Sequence, residues 1–204
     1  MFLISRLHEN AVHFADRYFN RELDAAEGKL VDAIRSAKKA TEIDRLLADE
    51  TSDALALASA ASFRKRGSCY FRDENGRGWE ECATRTLKYD APLLAPVPDG
   101  KAFSIPDEDG DGLELPQGLA RPILGVPAVN PIRCFAVSLY GPHVSGTDID
   151  AYERAMLARL ARDAAAMYAE LESSELRRKV TTLEGELETA RAERQEERSV
   201  HGDL

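Results

Sequence analysis

A chain of 204 residues, 44% apolar and 31% charged, can bury one core and carry helical extensions, but leaves little room for a second catalytic unit. Its net charge of -9 argues against nucleic-acid binding, which needs a basic face; Lys38-Lys39 and Arg64-Lys65-Arg66 are small local exceptions. No apolar run is long enough for a transmembrane segment, Met1-Phe2-Leu3-Ile4 gives way at once to polar residues, and Cys69, Cys82 and Cys134 lack metal-ligand spacing, which suits buried thiols in a reducing cytoplasm.

In chain order, Ile4, Leu7, Ala11, Phe14 and Tyr18 follow a three-four spacing that predicts an amphipathic helix, and Leu23, Ala26, Leu30, Ile34 and Ala37 predict a second. These make an N-terminal helical segment over 1–40. Neither can bury its stripe alone, so each needs the C-terminal helix or a second copy of the chain. His8 and His13 lie about 140° apart around such a helix and do not share a metal. Another short helix starts at Thr41-Glu42-Ile43-Asp44 and passes, through an alanine-rich stretch ending at Phe63, into a first strand.

Ser68 to Arg72 reads as a second strand, Asp73 to Gly78 as a turn, and Trp79 to Thr86 as a third strand. The proline-punctuated Pro92 to Gly100 segment is too short for much regular structure, and Lys101 to Ile105 is a further strand. Asp107-Glu108-Asp109-Gly110-Asp111-Gly112 resembles half of a calcium loop, but its twelfth position is Gly118 rather than Glu and Pro116 interrupts it, so it reads as an acidic surface loop. No metal site is expected. Ala120 to Val129 and Ile132 to Tyr140, split by Asn130-Pro131, are antiparallel neighbours, the first lying at an edge or carrying a bulge because of Pro122 and Pro127. The whole is an α+β plan: an antiparallel sheet of five or six strands flanked by helices.

Thr147 is read as the N-cap of a long helix, with Asp150 three residues on. Ile149, Tyr152, Met156, Leu157, Leu160, Ala164, Met167, Tyr168 and Leu171 form a core-facing stripe. Beyond it the pattern narrows to Leu176, Val180, Leu183, Leu187 and Ala190, spaced four, three, four, three, with polar residues between: a heptad seam for a coiled coil. The domain boundaries that follow are a globular part over 41–171, a coiled-coil extension over 172–198 and a disordered tail over 199–204. No nucleophile elbow, glycine-rich phosphate loop or motif-placed carboxylate pair is present, so no catalytic residues are assigned and the chain is expected not to be an enzyme.

Leu119-Ala120-Arg121-Pro122-Ile123-Leu124-Gly125-Val126-Pro127, then Ile132-Arg133-Cys134-Phe135-Ala136-Val137-Ser138-Leu139-Tyr140-Gly141-Pro142, then Thr147-Asp148-Ile149-Asp150 and a long helix, resemble the last two strands and terminal helix of a GAF domain. Ile43-Asp44-Arg45-Leu46-Leu47 and Leu57 to Arg64 are similar to the first helix and strand of the GAF modules of bacterial membrane-linked sensors. In those sensors a segment like Leu7 to Leu30 follows transmembrane helices, and this chain is expected to lack that membrane part. The signature of cyclic-nucleotide-binding members is missing, as is a cysteine matching the bilin-attaching position, so the cofactor or ligand is left unknown.

What the resemblance implies is a six-stranded sheet with the first and last helices on one face and a small-molecule pocket on the other. Alternation places Cys134, Ala136 and Ser138 on one face of their strand and Arg133, Phe135, Val137 and Leu139 on the other. The bulkier set is expected under the terminal helices, and the smaller set is expected to line a ligand site with Cys69, Tyr70, Leu93 and Leu94. A closed sheet face covered by Pro92 to Gly100 is the competing expectation. The function expected is a cytoplasmic, non-enzymatic sensory or regulatory protein, a homodimer through its terminal helices, acting on a signalling partner in trans. The alternative is a structural adaptor without a ligand, and the fold alternative is PAS-like.

Overall fold

The computed structural model describes residues 21–73, 76–106 and 114–202. The helix expected over 4–18, with His8 and His13, and the acidic loop 107–112 lie outside them. Two units divide the chain, Met1–Tyr168 and Ala169–Leu204.

The first unit is built on a six-stranded antiparallel sheet in the order β3-β2-β1-β6-β5-β4, made of β1 (Ala60–Arg66), β2 (Cys69–Phe71), β3 (Thr86–Lys88), β4 (Phe103–Ser104), β5 (Leu124–Val129) and β6 (Cys134–Tyr140). Central β1 and β6 pair from Ala60↔Tyr140 to Arg64↔Ala136. The third strand is shorter and later than Trp79–Thr86, because that stretch is pinned in an irregular path. Trp79 is buried against Phe63, and the Arg72 guanidinium, itself buried, donates to the Cys82 and Thr84 carbonyls at 3.1 and 3.2 Å. Those carbonyls are satisfied without a ladder. Pro127 is tolerated in β5 because two-residue β4 pairs with Leu124 and Gly125 alone, so that among the described residues no strand pairs with the outer side of β5 at Pro127. Gly125 makes room for the Phe103 ring, which a Cβ there would approach to 2.3 Å.

Helix α1 (21–36) lies beside the start of α4 (Ala151–Gly202). Tyr152 bonds Asp24, Arg159 grips Glu27 with two bonds at 2.5 and 2.7 Å, and Arg35 bonds Asp163 at 2.8 Å; the pairs ascend together, so the helices run parallel. Their apolar faces, with Leu23, Leu30, Ile34, Met156, Leu157 and Leu160, are buried, at about 1.5–3 kcal/mol for each large side chain. The cap of α4 falls three residues later than Thr147. Asp150 Oδ1 accepts from the Glu153 amide at 2.8 Å and Glu153 Oε2 accepts from the Asp150 amide at 2.9 Å, a reciprocal capping box. Glu153 is buried because His143 Nε2 sits 3.0 Å from the same carboxylate, while His143 Nδ1 lies 2.8 Å from the Leu55 carbonyl.

Between α1 and β1, α2 (Ala40–Arg45) and α3 (Thr51–Ala54) are joined by a π-helical turn, Leu46–Glu50. Widening the helix there leaves carbonyls that side-chain hydroxyls take up: Thr51 donates to Leu46 and Tyr140 to Leu47, both at 2.8 Å. In the second unit α4 continues as helix to Gly202, past the residue-198 end expected for it, with Leu176, Val180, Leu183 and Leu187 each more than half exposed.

Candidate functional site

The sheet's two faces are used opposite to the volume argument made from sequence. Val137 and Leu139 lie with Ala61, Phe63, Tyr70 and Leu87 under Trp79, Leu94, Val97, Ile105 and Leu115, away from the terminal helices. Ala136 and Ser138 face the helices instead: Ser138 meets Ser62 at 3.4 Å, and Ala136 pairs with Arg64, whose guanidinium reaches Asp44 of α2. A bulge opposite Ala128/Val129 adds one residue to β6, so Phe135 stays on the helix side, stacked on Tyr168 at 6.1 Å, and Cys134 turns to the other face. The region expected to hold a pocket over the centre of the sheet is thus filled by apolar side chains.

An open cleft of about 460 Å³ lies instead at the end of the sheet, within the size range of small-molecule sites. Lys65 comes from the end of β1, Tyr70 from β2 and Tyr89 from just past β3, where its amide donates to the Ser68 carbonyl and prolongs the ladder. The opposite wall is the turn Val97–Asp99 with Gly100, and the β5–β6 hairpin from Val129 to Cys134. Gly100, at φ +67°, closes that turn in the left-handed region, and its amide is taken by the Val97 carbonyl. Asn130 shapes the hairpin: its side-chain oxygen accepts from the Ile132 and Arg133 amides at 2.9 Å each, and its NH₂ makes no bond among the described residues.

Tyr70 and Tyr89 are stacked, 6.4 Å apart with planes 7° from parallel, and Lys65 Nζ lies 4.6 Å from the Tyr89 ring centre. The Tyr70 hydroxyl is fully buried and, among the described residues, has no hydrogen-bond partner at bonding geometry; Cys134 lies beside it, its thiol directed to the Ala136 carbonyl at 3.2 Å. Burial pushes both the Tyr70 phenol and the Cys134 thiol up, away from the charged form. Of the residues expected to bind a ligand, Tyr70 and Cys134 line the cleft. Leu93 and Leu94 pack in the cover, Cys69 lies on the face of β2 opposite Tyr70, and Ala136 and Ser138 lie under the helices. Lys65, Tyr89, Asp99, Asn130 and Arg133 are lining residues that sequence reasoning missed.

A second polar cluster sits between sheet and helices, at the last residue of the first unit. Tyr168 donates to Asp44 Oδ1 at 2.5 Å, Arg64 Nε stands 3.6 Å from Asp44 Oδ2, and Arg64 and Arg66 both bond Asp73. Burial raises the Asp44 carboxyl to about 6, opposed by the Tyr168 bond and by Arg64.

Searches of known structures return this architecture repeatedly. The GAF domain of a phosphoenolpyruvate-protein phosphotransferase from Coxiella burnetii is similar over 76% of this chain and 98% of that one, with 12% identity and a TM-score of 0.60. The GAF-B domain of DevS from Mycobacterium smegmatis is similar over 68% and 98%, with 18% identity and a TM-score of 0.53. Free methionine-R-sulfoxide reductase from Neisseria meningitidis, solved with its substrate, is similar over 74% and 91%, with 12% identity and a TM-score of 0.58. No protein-family model and no curated protein matches the sequence. The chain has the GAF-domain fold, which is shared by signalling domains and by enzymes, so the fold alone does not decide between them. No helix among the described residues is long and apolar enough to cross a membrane.

Proposed function

We propose that this is a cytoplasmic, non-enzymatic sensory or regulatory protein that binds a small molecule and dimerises through its last helix. The observation that carries this reading is that a GAF fold ends in a helix exposing Leu176, Val180, Leu183 and Leu187 at heptad spacing. A line of branched side chains among polar ones is what a paired helix presents. The part over 41–171 acts as sensor, the part over 172–198, with Ala190 at its end, pairs with a second copy, and ligand occupancy biases the geometry of the pair toward a signalling partner in trans.

The three thiols are half-buried rather than buried as expected, and their surroundings favour a non-enzymatic role. Cys134 is held toward the neutral form, Cys82 donates to the Glu114 carbonyl at 3.3 Å, and Cys69 faces away from both Tyr70 and the cleft. The apolar filling of the sheet's cover face favours the second reading, an adaptor without a ligand. Native mass spectrometry of gently purified full-length protein separates the two: the sensor carries a co-purified small molecule on a dimer, and an adaptor dimer carries none.

A further inference from the structure

The cleft's lining selects a class of ligand. One wall is a π surface, Tyr89 half exposed over buried Tyr70, with the Lys65 ammonium beside it and making no ion pair among the described residues. The facing wall offers Val97, Val129, Pro131 and Ile132. Three side-chain donors line the cleft, the ammonium of Lys65, the NH₂ of Asn130 and the hydroxyl of Tyr70, beside one exposed carboxylate, Asp99; the buried Tyr70 hydroxyl has only the Cys134 thiol, a weak acceptor, next to it among the described residues. A thiol is a poor acceptor for a buried hydroxyl, which leaves the hydroxyl under-satisfied, and an oxygen brought by a ligand supplies a better partner.

We propose that the cleft binds a small aromatic monocarboxylate, its ring against Tyr89 and its carboxylate on Lys65, with Tyr70 and Asn130 donating to it. A carboxylate is acceptor-only, which matches the donors of Lys65, Asn130 and Tyr70. Asp99 on the rim disfavours a second negative charge, and the Asp99 and Gly100 amides are already bonded to Pro96 and Val97, so no backbone cradle for a phosphate remains there. A cationic ligand would meet Lys65 at the ring face it needs. This inference rests on the sensory reading above and adds the ligand's class and place.

The test is calorimetric titration of the full-length protein with phenylacetate and with indole-3-acetate, using phenylacetamide as the neutral counterpart. Saturable binding is expected for the carboxylates, with the amide weaker by about tenfold or more, and Lys65→Met should lower carboxylate affinity by a similar factor. Tyr70→Phe should move two readouts in opposite directions, raising the melting temperature of the protein alone while weakening carboxylate binding about fivefold. A merely structural Tyr70 would not weaken binding. Circular dichroism of both variants checks that they fold. Absence of saturable carboxylate binding to the wild-type protein, or undiminished binding by folded Lys65→Met, overturns the proposal. If native mass spectrometry then shows a co-purified molecule of another class, the ligand assignment falls and the sensory reading stands; if it shows none, both fall.

Discussion

Replacing Asp44 with Asn isolates the cost of the buried carboxylate between sheet and helices. Asp44 is 2% exposed, and its Oδ2 has no hydrogen bond, since Arg64 Nε stands 3.6 Å away. Its carboxyl is raised from 3.8 to about 6, chiefly by burial, so the folded protein holds that proton more tightly than the unfolded chain does. The stabilisation this gives is fully present below 3.8 and is lost as pH rises through about 6. At 1.36 kcal/mol per pH unit the whole effect is roughly 3 kcal/mol, of which about 2 kcal/mol falls between about pH 4.5 and about pH 7.5. Asn keeps an oxygen for the Tyr168 hydroxyl and cannot ionise. Urea denaturation of both proteins at the two pH values should show the wild type losing about 2 kcal/mol relative to Asp44→Asn on going to the higher pH. A difference that is independent of pH, or that favours the wild type more at the higher pH, would refute the reasoning, because it would mean that the Tyr168 bond and the Arg64 charge balance or outweigh desolvation.

Two further substitutions test the packing. Gly125→Val drives a side chain into the Phe103 ring and should cost about 1–3 kcal/mol in urea denaturation, with Phe103→Ala recovering part of the loss. Glu153→Ala removes one half of the capping box and the partner of His143, and should cost about 1–2 kcal/mol in the same assay, whereas Thr147→Ala, outside the cap, should cost far less.

What the sequence revealed, and what it hid, follows from the range of the interactions concerned. The long helix, β5 and β6 were readable because their apolar periodicity is local, and the turn at Asn130-Pro131 needed no tertiary context. The third strand was misplaced because a buried arginine ten residues away, Arg72, satisfies the Cys82 and Thr84 carbonyls. The capping box was written in the chain as Asp150 followed by Glu153, and the earlier Thr147 hid it. Alternation sorted the β6 side chains into two sets but could not say which set faces the helices. Trp79 and Leu115 arrive from distant loops to cover the bulky set, and the bulge moves Cys134 out of its own set. The cleft was the least legible feature. Lys65, Tyr89, Gly100 and Asn130 come from the ends of four separate elements, and only strand pairing brings them together.

The central claim, that the last helix pairs two copies of the chain, is tested most directly by the light-scattering mass of the full-length protein beside its Val180→Asp, Leu187→Asp double variant. The account predicts twice the 22.5 kDa chain mass for the wild type. It predicts a shift toward single-chain mass in the variant, because carboxylates in a desolvated seam are strongly disfavoured. A wild-type protein of single-chain mass, or a dimer that the double variant leaves intact, would contradict it.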